Sequence, residues 1–570
     1  MIRLADHLDD PFDVLILGGG VHGVALARTL SLSGVSVALV EKGDFGGATT
    51  HNSLKIVHGG LRYVQHLDGR RIRESVQAQR AWLAAAPHLV RPMRFTMPTT
   101  GWGARSPIAL AAGVWLYQLL GGNSRRRSTP RVSMPNASVQ RRQAFERMFP
   151  EVRPENVNGC MSWFDAQIRD SGRLITECVA DAARNGAILL NHVEAIALRR
   201  SGNRVSGALV RDCLSGREQE VRARVTVGTL GAWGGGFARS SGLPRTPAGE
   251  MPWTRNVNVV MKRPVIAGDA VGVMSSQRGD GLIGKASRLY FITPWQDTSI
   301  IGTTHDVHEG EPEPLSVGAD EVGSLLADVN STLKGRELGL DDVASLHMGL
   351  TPSEEAGKYR AKRTLVTDCG QECGVDGYIE VTPNKYTTAP TVSRQVASLV
   401  LRHLGRGDAG PGDFTMPLPG APQDGDDSFE ALGTQATDHE RERAWVRAVY
   451  GTGADEVLGL ADAGSVADSP AGLFRRRVIH GVREDMAMRL GDAVFRCSDL
   501  AERGRLSRED LLWCLDWMSR HFGWSERRRG EELELVVERL RRHLSGGPEM
   551  NWSIEPGTIA STEKAGEGVR

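Results

Sequence analysis

Phe12-Asp13-Val14-Leu15-Ile16-Leu17-Gly18-Gly19-Gly20-Val21-His22-Gly23 decides the reading of this chain, and Val24-Ala25-Leu26-Ala27-Arg28-Thr29-Leu30 follows it directly. An apolar run, a cluster of glycines and a helix-forming run read as strand, tight turn and helix. Gly18 permits the turn, Gly20 lets a pyrophosphate approach the backbone, and Gly23 lets the helix lie close to the strand. The anion then sits at the helix N-terminus, at Val21 and His22, where unpaired amides and the helix dipole favour negative charge. A second apolar run, Val35 to Val40, ends in Glu41, about twenty residues beyond the glycines. That is the place of a carboxylate that accepts hydrogen bonds from a ribose, and Lys42 stands beside it. Strand, turn, helix, strand and acidic terminus in register predict a dinucleotide-binding unit.

The next stretch, Gly46 to Tyr63, is rich in small, hydroxyl and basic residues. Its end, Lys55-Ile56-Val57-His58-Gly59-Gly60-Leu61-Arg62-Tyr63, resembles the Lys-Leu-Ile-His-Gly-Gly-Leu-Arg-Tyr run of the flavin-dependent glycerol-3-phosphate dehydrogenase and oxidase family. Pro87 to Pro92, Pro383-Asn384-Lys385-Tyr386-Thr387-Thr388 and Val482 to Asp492 extend the resemblance over nearly the whole chain, and Gly228 to Trp233 matches at Gly231 and Trp233. The resemblance implies FAD as cofactor and adds Thr49, Thr50, Ser53, Val57, Val193, Gly231, Lys385 and Thr387 to the residues that hold it. It also implies an α/β fold: an FAD-binding Rossmann-like domain, an interleaved antiparallel-sheet substrate domain and a C-terminal helical domain.

The chain has 570 residues, enough for two or three domains and a large core. Lys plus Arg and Asp plus Glu are equal at 69 each, so no overall charge draws it to nucleic acid. The partners read as small molecules: a substrate and an electron acceptor such as oxygen or a quinone. Of the seven cysteines only Cys369 and Cys373 are close in sequence, without a second pair, so no metal site is predicted and the thiols read as reduced. The N-terminus lacks the apolar core of a signal peptide, which predicts a cytoplasmic protein. Pro107 to Leu120 is the most apolar stretch and is shorter than the roughly twenty residues that span a bilayer. It reads as a core or domain-surface helix, and the resemblance leaves open a peripheral contact with the inner face of the membrane, as well as a homodimer.

These readings place the oxidoreductase domain at 1–404. Its FAD-binding segments fall at about 11–92, 165–235 and 345–404, and its substrate-domain segments at about 93–164 and 236–344. Residues from about 93 to 160 read as irregular. Asp170 to Asn185 reads as an amphipathic helix. A Gly, Pro and Asp-rich linker covers 405–428, helices cover 429–546, and 547–570 reads as a disordered tail.

Only one dinucleotide fingerprint is present, which favours a resident flavin over an exchanged nicotinamide. Oxidising a carbinol carbon then needs a base for the hydroxyl proton and groups that orient the carbinol hydrogen toward the flavin. The resemblance assigns part of this work to a histidine in a Lys-Gly-x-His run and to an arginine in a Gly-x-Arg-Pro run, with a further arginine downstream. Here Arg255-Asn256-Val257-Asn258 puts Asn258 at the histidine position and Gly349-Leu350-Thr351-Pro352 puts Thr351 at the arginine position, while the downstream arginine falls near Thr367. Asparagine is no base near neutral pH, and threonine cannot bind phosphate bidentately. Glycerol 3-phosphate is therefore a doubtful substrate, although Arg62, Tyr63 and Lys385 remain to bind one. Along an extended segment His347 shares a face with Thr351, which makes it the first candidate base, followed by His305. His58 and Lys385 are candidates for proton transfer and charge stabilisation. The predicted function is FAD-dependent oxidation of a secondary alcohol on a polyol, sugar or related metabolite, against an amine or amino-acid oxidase or a decayed flavin-binding scaffold.

Overall fold

A computed structural model describes residues 8, 10–100, 106–153, 157–244, 246, 250–274, 289–354, 359–360, 363–422, 437–460 and 469–543. The predicted tail at 547–570, the end of the linker at 423–428 and the start of the helical domain at 429–436 lie outside the described residues.

Val14 to Leu17 are completely buried because their strand, Phe12–Leu17, runs through the middle of a sheet. In order, its path is Leu365–Asp368, Tyr378–Thr382, Glu218–Gly228, Phe12–Leu17, Val37–Val40 and Ile188–Leu190. The last five are mutually parallel. Strands covered on both faces read as continuous apolar runs, which is why this part of the fold is visible in the sequence. Helix Val21–Ser31 starts at the glycine turn and packs against helices Ser171–Arg184 and Ala389–His403. The predicted amphipathic helix is Ser171–Arg184, and the Asp170 carboxylate caps it by accepting from the Arg173 amide at 2.9 Å. Val193–Ser201 and Arg204–Asp212 add an antiparallel meander onto Glu218–Gly228.

A second sheet has ten strands. Its path is Tyr359–Arg360, Val343–Glu354, Trp253–Met261, Thr298–His308, Leu289–Trp295, Ala270–Met274, Val90–Thr100, Val157–Ile168 and Ile56–Val57, with Ser138–Arg141 on Val157–Ile168. All pairs are antiparallel except Ala270–Met274 with Val90–Thr100. Two sequence expectations are corrected here. The stretch 93–160 is not irregular at its described ends, because Val90–Thr100 pairs with Val157–Ile168 from Val90↔Ile168 to Thr99↔Gly159. Alternation fails to show this strand because its buried face carries polar groups that satisfy each other, as Thr96 Oγ1 and Ser162 Oγ do at 2.9 Å. Val343–Glu354 also belongs to the second sheet, so the chain returns to the first at Leu365, not at 345.

The described part of the Gly, Pro and Asp-rich stretch is a strap packed on the first domain. The buried guanidinium of Arg28 donates to the carbonyls of Phe414 at 2.7 Å and Met416 at 2.6 Å and pairs with Asp181, and the Leu418 amide donates to the Ala85 carbonyl. Beyond it the C-terminal helices, including Pro470–Glu484, Leu490–Phe495, Arg508–Phe522 and Glu526–His543, have their own core around Val478, Leu490, Leu511 and Val536. Ion pairs cross their interface with the rest, Arg477–Asp170 at 3.3 Å, Asp485–Arg173 at 2.9 Å, Arg496–Asp44 at 2.5 Å and Arg503–Asp297 at 2.7 Å, beside Leu473 and Met486, which are buried in the first domain's core.

Candidate active site

A cleft of about 1640 Å³ lies between the two sheets and the C-terminal helices. Gly18, Gly20, Val21, His22, Glu41 and Lys42 line it from the dinucleotide turn. Thr49, Thr50, Ser53 and His58 line it from the following loop, with Gly231, Lys385 and Thr387 from the first sheet's connections and Asn256, Asn258, Thr303 and Thr351 from the second sheet.

The turn fits a bound pyrophosphate. A Cβ on Gly20 would meet only Thr50 Oγ1, at 3.4 Å, so the space beside it opens to the cleft. A Cβ on Gly23 would lie 1.9 Å from the Gly18 carbonyl oxygen and 2.6 Å from Thr229 Oγ1, which is the close helix packing expected of it; Gly23 itself does not line the cleft. The Glu41 carboxylate accepts from the amides of Gly19 at 2.6 Å and Gly43 at 2.8 Å, and burial raises its pKa. Burial also lowers the His22 imidazole to about 4, so the neutral ring donates through Nε2 to the Lys385 carbonyl at 3.0 Å. That leaves His22 Nδ1 a buried acceptor with no protein partner among the described residues.

Tethers to both sheets hold the loop from Thr49 to Gly59. Thr49 Oγ1 exchanges hydrogen bonds with the backbone of Leu350, the His58 amide donates to Thr387 Oγ1 at 3.0 Å, and the Gly59 amide donates to Asp165 at 2.6 Å. Below the loop, Glu502 of the C-terminal domain receives the Lys55 ammonium at 3.0 Å and His51 Nε2 at 2.8 Å. Burial opposes ionisation of Glu502, but the charges of His51 and Lys55 outweigh it and hold the carboxyl well below the usual range.

His347 belongs to this buried cluster and not to the cleft. It shares a strand with Thr351, yet the loop lies across it: Nδ1 is 3.4 Å from the Ser53 carbonyl, Nε2 is 3.7 Å from Glu502, and the residue is 1% exposed. It cannot reach a substrate, which corrects its assignment as base. His305 stands one residue behind the lining, with Nδ1 2.8 Å from Asn256 Oδ1. Thr367 is buried in the edge strand Leu365–Asp368, away from the cleft, so it is not the counterpart of a phosphate-binding arginine. Val57 and Val193 are buried strand residues outside the lining; His192 and Glu194 flank Val193 and do line it. Arg62 is exposed and outside the lining, and Tyr63 lies under the Lys385 ammonium, 4.2 Å from the ring centre. Lys42 stands 4.2 Å over the ring of Trp233. Sequence reasoning missed Asp165, Asn256, His51 and Glu502. Asn256 lay within the quoted Arg255 to Asn258 run, and the others gain meaning only through partners more than a hundred residues away or on another domain.

The FAD dependent oxidoreductase family model matches residues 13–398. The chain belongs to that family. FAD is accordingly the cofactor of this cleft. Among relatives, a glycerol-3-phosphate dehydrogenase of Synechocystis sp. is 26% identical over 552 residues, covering 93% of this chain and 97% of its own. A glycerol-3-phosphate dehydrogenase of Mycobacterium leprae is 31% identical over 382 residues, 66% of this chain and 61% of its own length. The glycerol-3-phosphate dehydrogenase of Bacillus halodurans complexed with FAD has the same fold, with a TM-score of 0.73 at 19% identity, over 95% of this chain and 97% of that one. This likeness takes in the C-terminal helices, which lie beyond the family match.

Two variants separate the glycine roles. Gly20→Val should purify without flavin colour yet melt with the flavin-free wild type, whereas Gly23→Val should lose flavin and melt below the flavin-free wild type.

Replacing Glu502 with Gln leaves Lys55 buried without its counter-charge and should cost about 3–5 kcal/mol in denaturant unfolding at neutral pH. The Glu502 pKa is depressed in the fold, so its stabilisation is present above the ordinary value of 4.5 and is lost as pH falls toward the folded-state value. The gap between wild type and Glu502→Gln should therefore narrow below that pH.

Proposed function

We propose that the chain is a flavin-dependent dehydrogenase or oxidase of the glycerol-3-phosphate dehydrogenase type that oxidises a secondary alcohol of a polyol, sugar or related metabolite. The observation that carries this reading is one cleft that joins the dinucleotide turn to a base candidate, a cation and an array of neutral hydrogen-bonding groups. Bound FAD supplies the hydride acceptor, and the electrons pass on to oxygen, a quinone or another acceptor.

His58 takes the hydroxyl proton in this reading. Its Nδ1 is 3.5 Å from Asp165 Oδ2, which fixes the ring and leaves Nε2 as the acceptor. Asp165 is buried, and although burial opposes its ionisation, its contacts with His58, the Arg127 charge and the Gly59 amide hold it below the usual range. Lys385 stabilises the developing alkoxide. Burial, and then the charge of Arg62, lowers its ammonium to about 8, so it is charged at neutral pH and titrates just above it. Asn256, Asn258, Thr303 and Thr351 orient the substrate's hydroxyls. Asn256 Nδ2 donates to Thr351 Oγ1 at 2.9 Å, and Thr303 Oγ1 donates to Asn258 Oδ1 at 2.7 Å. His305 acts through Asn256 as a positioning residue. Ile108, Trp115 and Leu119, exposed along and just beyond helix Pro107–Tyr117 and followed by exposed Arg125 and Arg126, support a peripheral membrane contact of the interfacial kind. Among the described residues no helix is long and apolar enough to cross a membrane.

His58→Asn should retain FAD and slow substrate-driven flavin reduction by about 10² to 10⁴ in anaerobic stopped flow. In the wild type the rate should fall as pH rises through about 8, where Lys385 loses its charge. Lys385→Arg, with its charge fixed, should remove that fall.

Glycerol 3-phosphate should reduce the flavin poorly, because no guanidinium stands at Thr351 to take a phosphate. Rapid reduction by micromolar glycerol 3-phosphate would contradict the assignment of Asn258 and Thr351.

A further inference from the structure

The C-terminal helical domain forms one wall of the FAD cleft. Gly491, Phe495, Val536 and Arg539 line it together with Gly18 and Gly20. Arg539, on helix Glu526–His543, differs from the other arginines of this interface. Arg173, Arg477, Arg496 and Arg503 each meet a carboxylate within 3.3 Å. Among the described residues none lies within ion-pair distance of Arg539. Its guanidinium stands 3.9 Å over the Phe495 ring, and Nη2 reaches only the Gly47 carbonyl at 3.5 Å, in the loop that follows Glu41. Burial pulls its pKa down, and the carboxylates that oppose this, Asp44 first among them, act from outside pairing distance. A planar guanidinium pairs well with two oxygens of a carboxylate or a phosphate, which it can bind bidentately. On the other wall, the groups that would face a pyrophosphate are amides of the glycine turn and the hydroxyls of Thr49 and Thr50. Lys42, a cation beside them, is turned to Trp233 and to Glu313 at 3.8 Å.

We propose that Arg539 is the cationic partner of the FAD pyrophosphate, so that the C-terminal helical domain completes the cofactor site. The proposal rests on FAD occupying the cleft and assigns a binding role to a domain outside the family match. It also accounts for an interface charge that has no protein counter-ion.

The test uses the full-length apoprotein, freed of flavin, with FAD, ADP and adenosine titrated calorimetrically into wild type, Arg539→Gln and Arg539→Lys. Arg539→Gln should bind FAD and ADP about 10- to 100-fold more weakly, as loss of a charge-assisted contact implies, while its adenosine affinity stays at the wild-type value. Arg539→Lys, which keeps the charge, should recover most of the loss. The ratio of ADP to adenosine affinity within each protein controls for folding, and Arg539→Met serves in the same comparison if the glutamine variant does not fold. An unchanged ratio in the neutral variants, or equal losses for ADP and adenosine, would overturn the proposal. Absence of ADP and FAD binding to the wild type would instead overturn the assignment of the cleft.

Discussion

Buried charge is the constraint on which this arrangement depends. Lys55 carries a fully buried ammonium directly behind the cofactor loop, and an isolated charge there would be costly. Glu502, brought by the C-terminal domain, is its counter-ion, and the same carboxylate also receives His51. Arg496–Asp44 and His192–Asp492 repeat the pattern at the other end of the cleft, each linking a residue next to the dinucleotide site with one on the C-terminal helices. A buried pair adds little net stability relative to apolar packing, but losing one partner is expensive. The helices therefore cannot detach without exposing unpaired charges on the cleft wall, and the cofactor loop cannot move without disturbing Glu502.

That coupling explains how a single loop serves both sheets. Thr49 holds the second sheet through Leu350, His58 holds the first sheet's Thr387, and Asp165 fixes the His58 ring and the Gly59 amide together. Orientation to within a fraction of an ångström is what hydride transfer demands, and a loop fixed at several independent points supplies it. Asn256, Asn258, Thr303 and Thr351 of the second sheet line the same cleft as the dinucleotide turn.

How much of this was legible in the sequence depended on how local the interactions are. The strand from Phe12, the glycine turn and Glu41 are consecutive, so their spacing carried the cofactor site. Val90–Thr100 was not legible, because its buried Thr96 is satisfied by Ser162 across the sheet and breaks the apolar alternation. His347 followed the parity of Thr351 correctly, but parity cannot reveal that residues 51–55 lie across the strand. Asp165, Glu502 and Arg539 acquire roles only from partners far along the chain, as Lys55 does from a carboxylate 447 residues away.

The central claim, that this cleft oxidises a carbinol on FAD, is tested most directly by anaerobic titration of the flavin-loaded protein with a panel of polyols, sugars, amines and amino acids. Loss of the oxidised flavin absorbance with a hydroxyl donor, and one carbonyl product formed per flavin reduced, is the expected result. Bleaching by amines or amino acids alone would contradict the account.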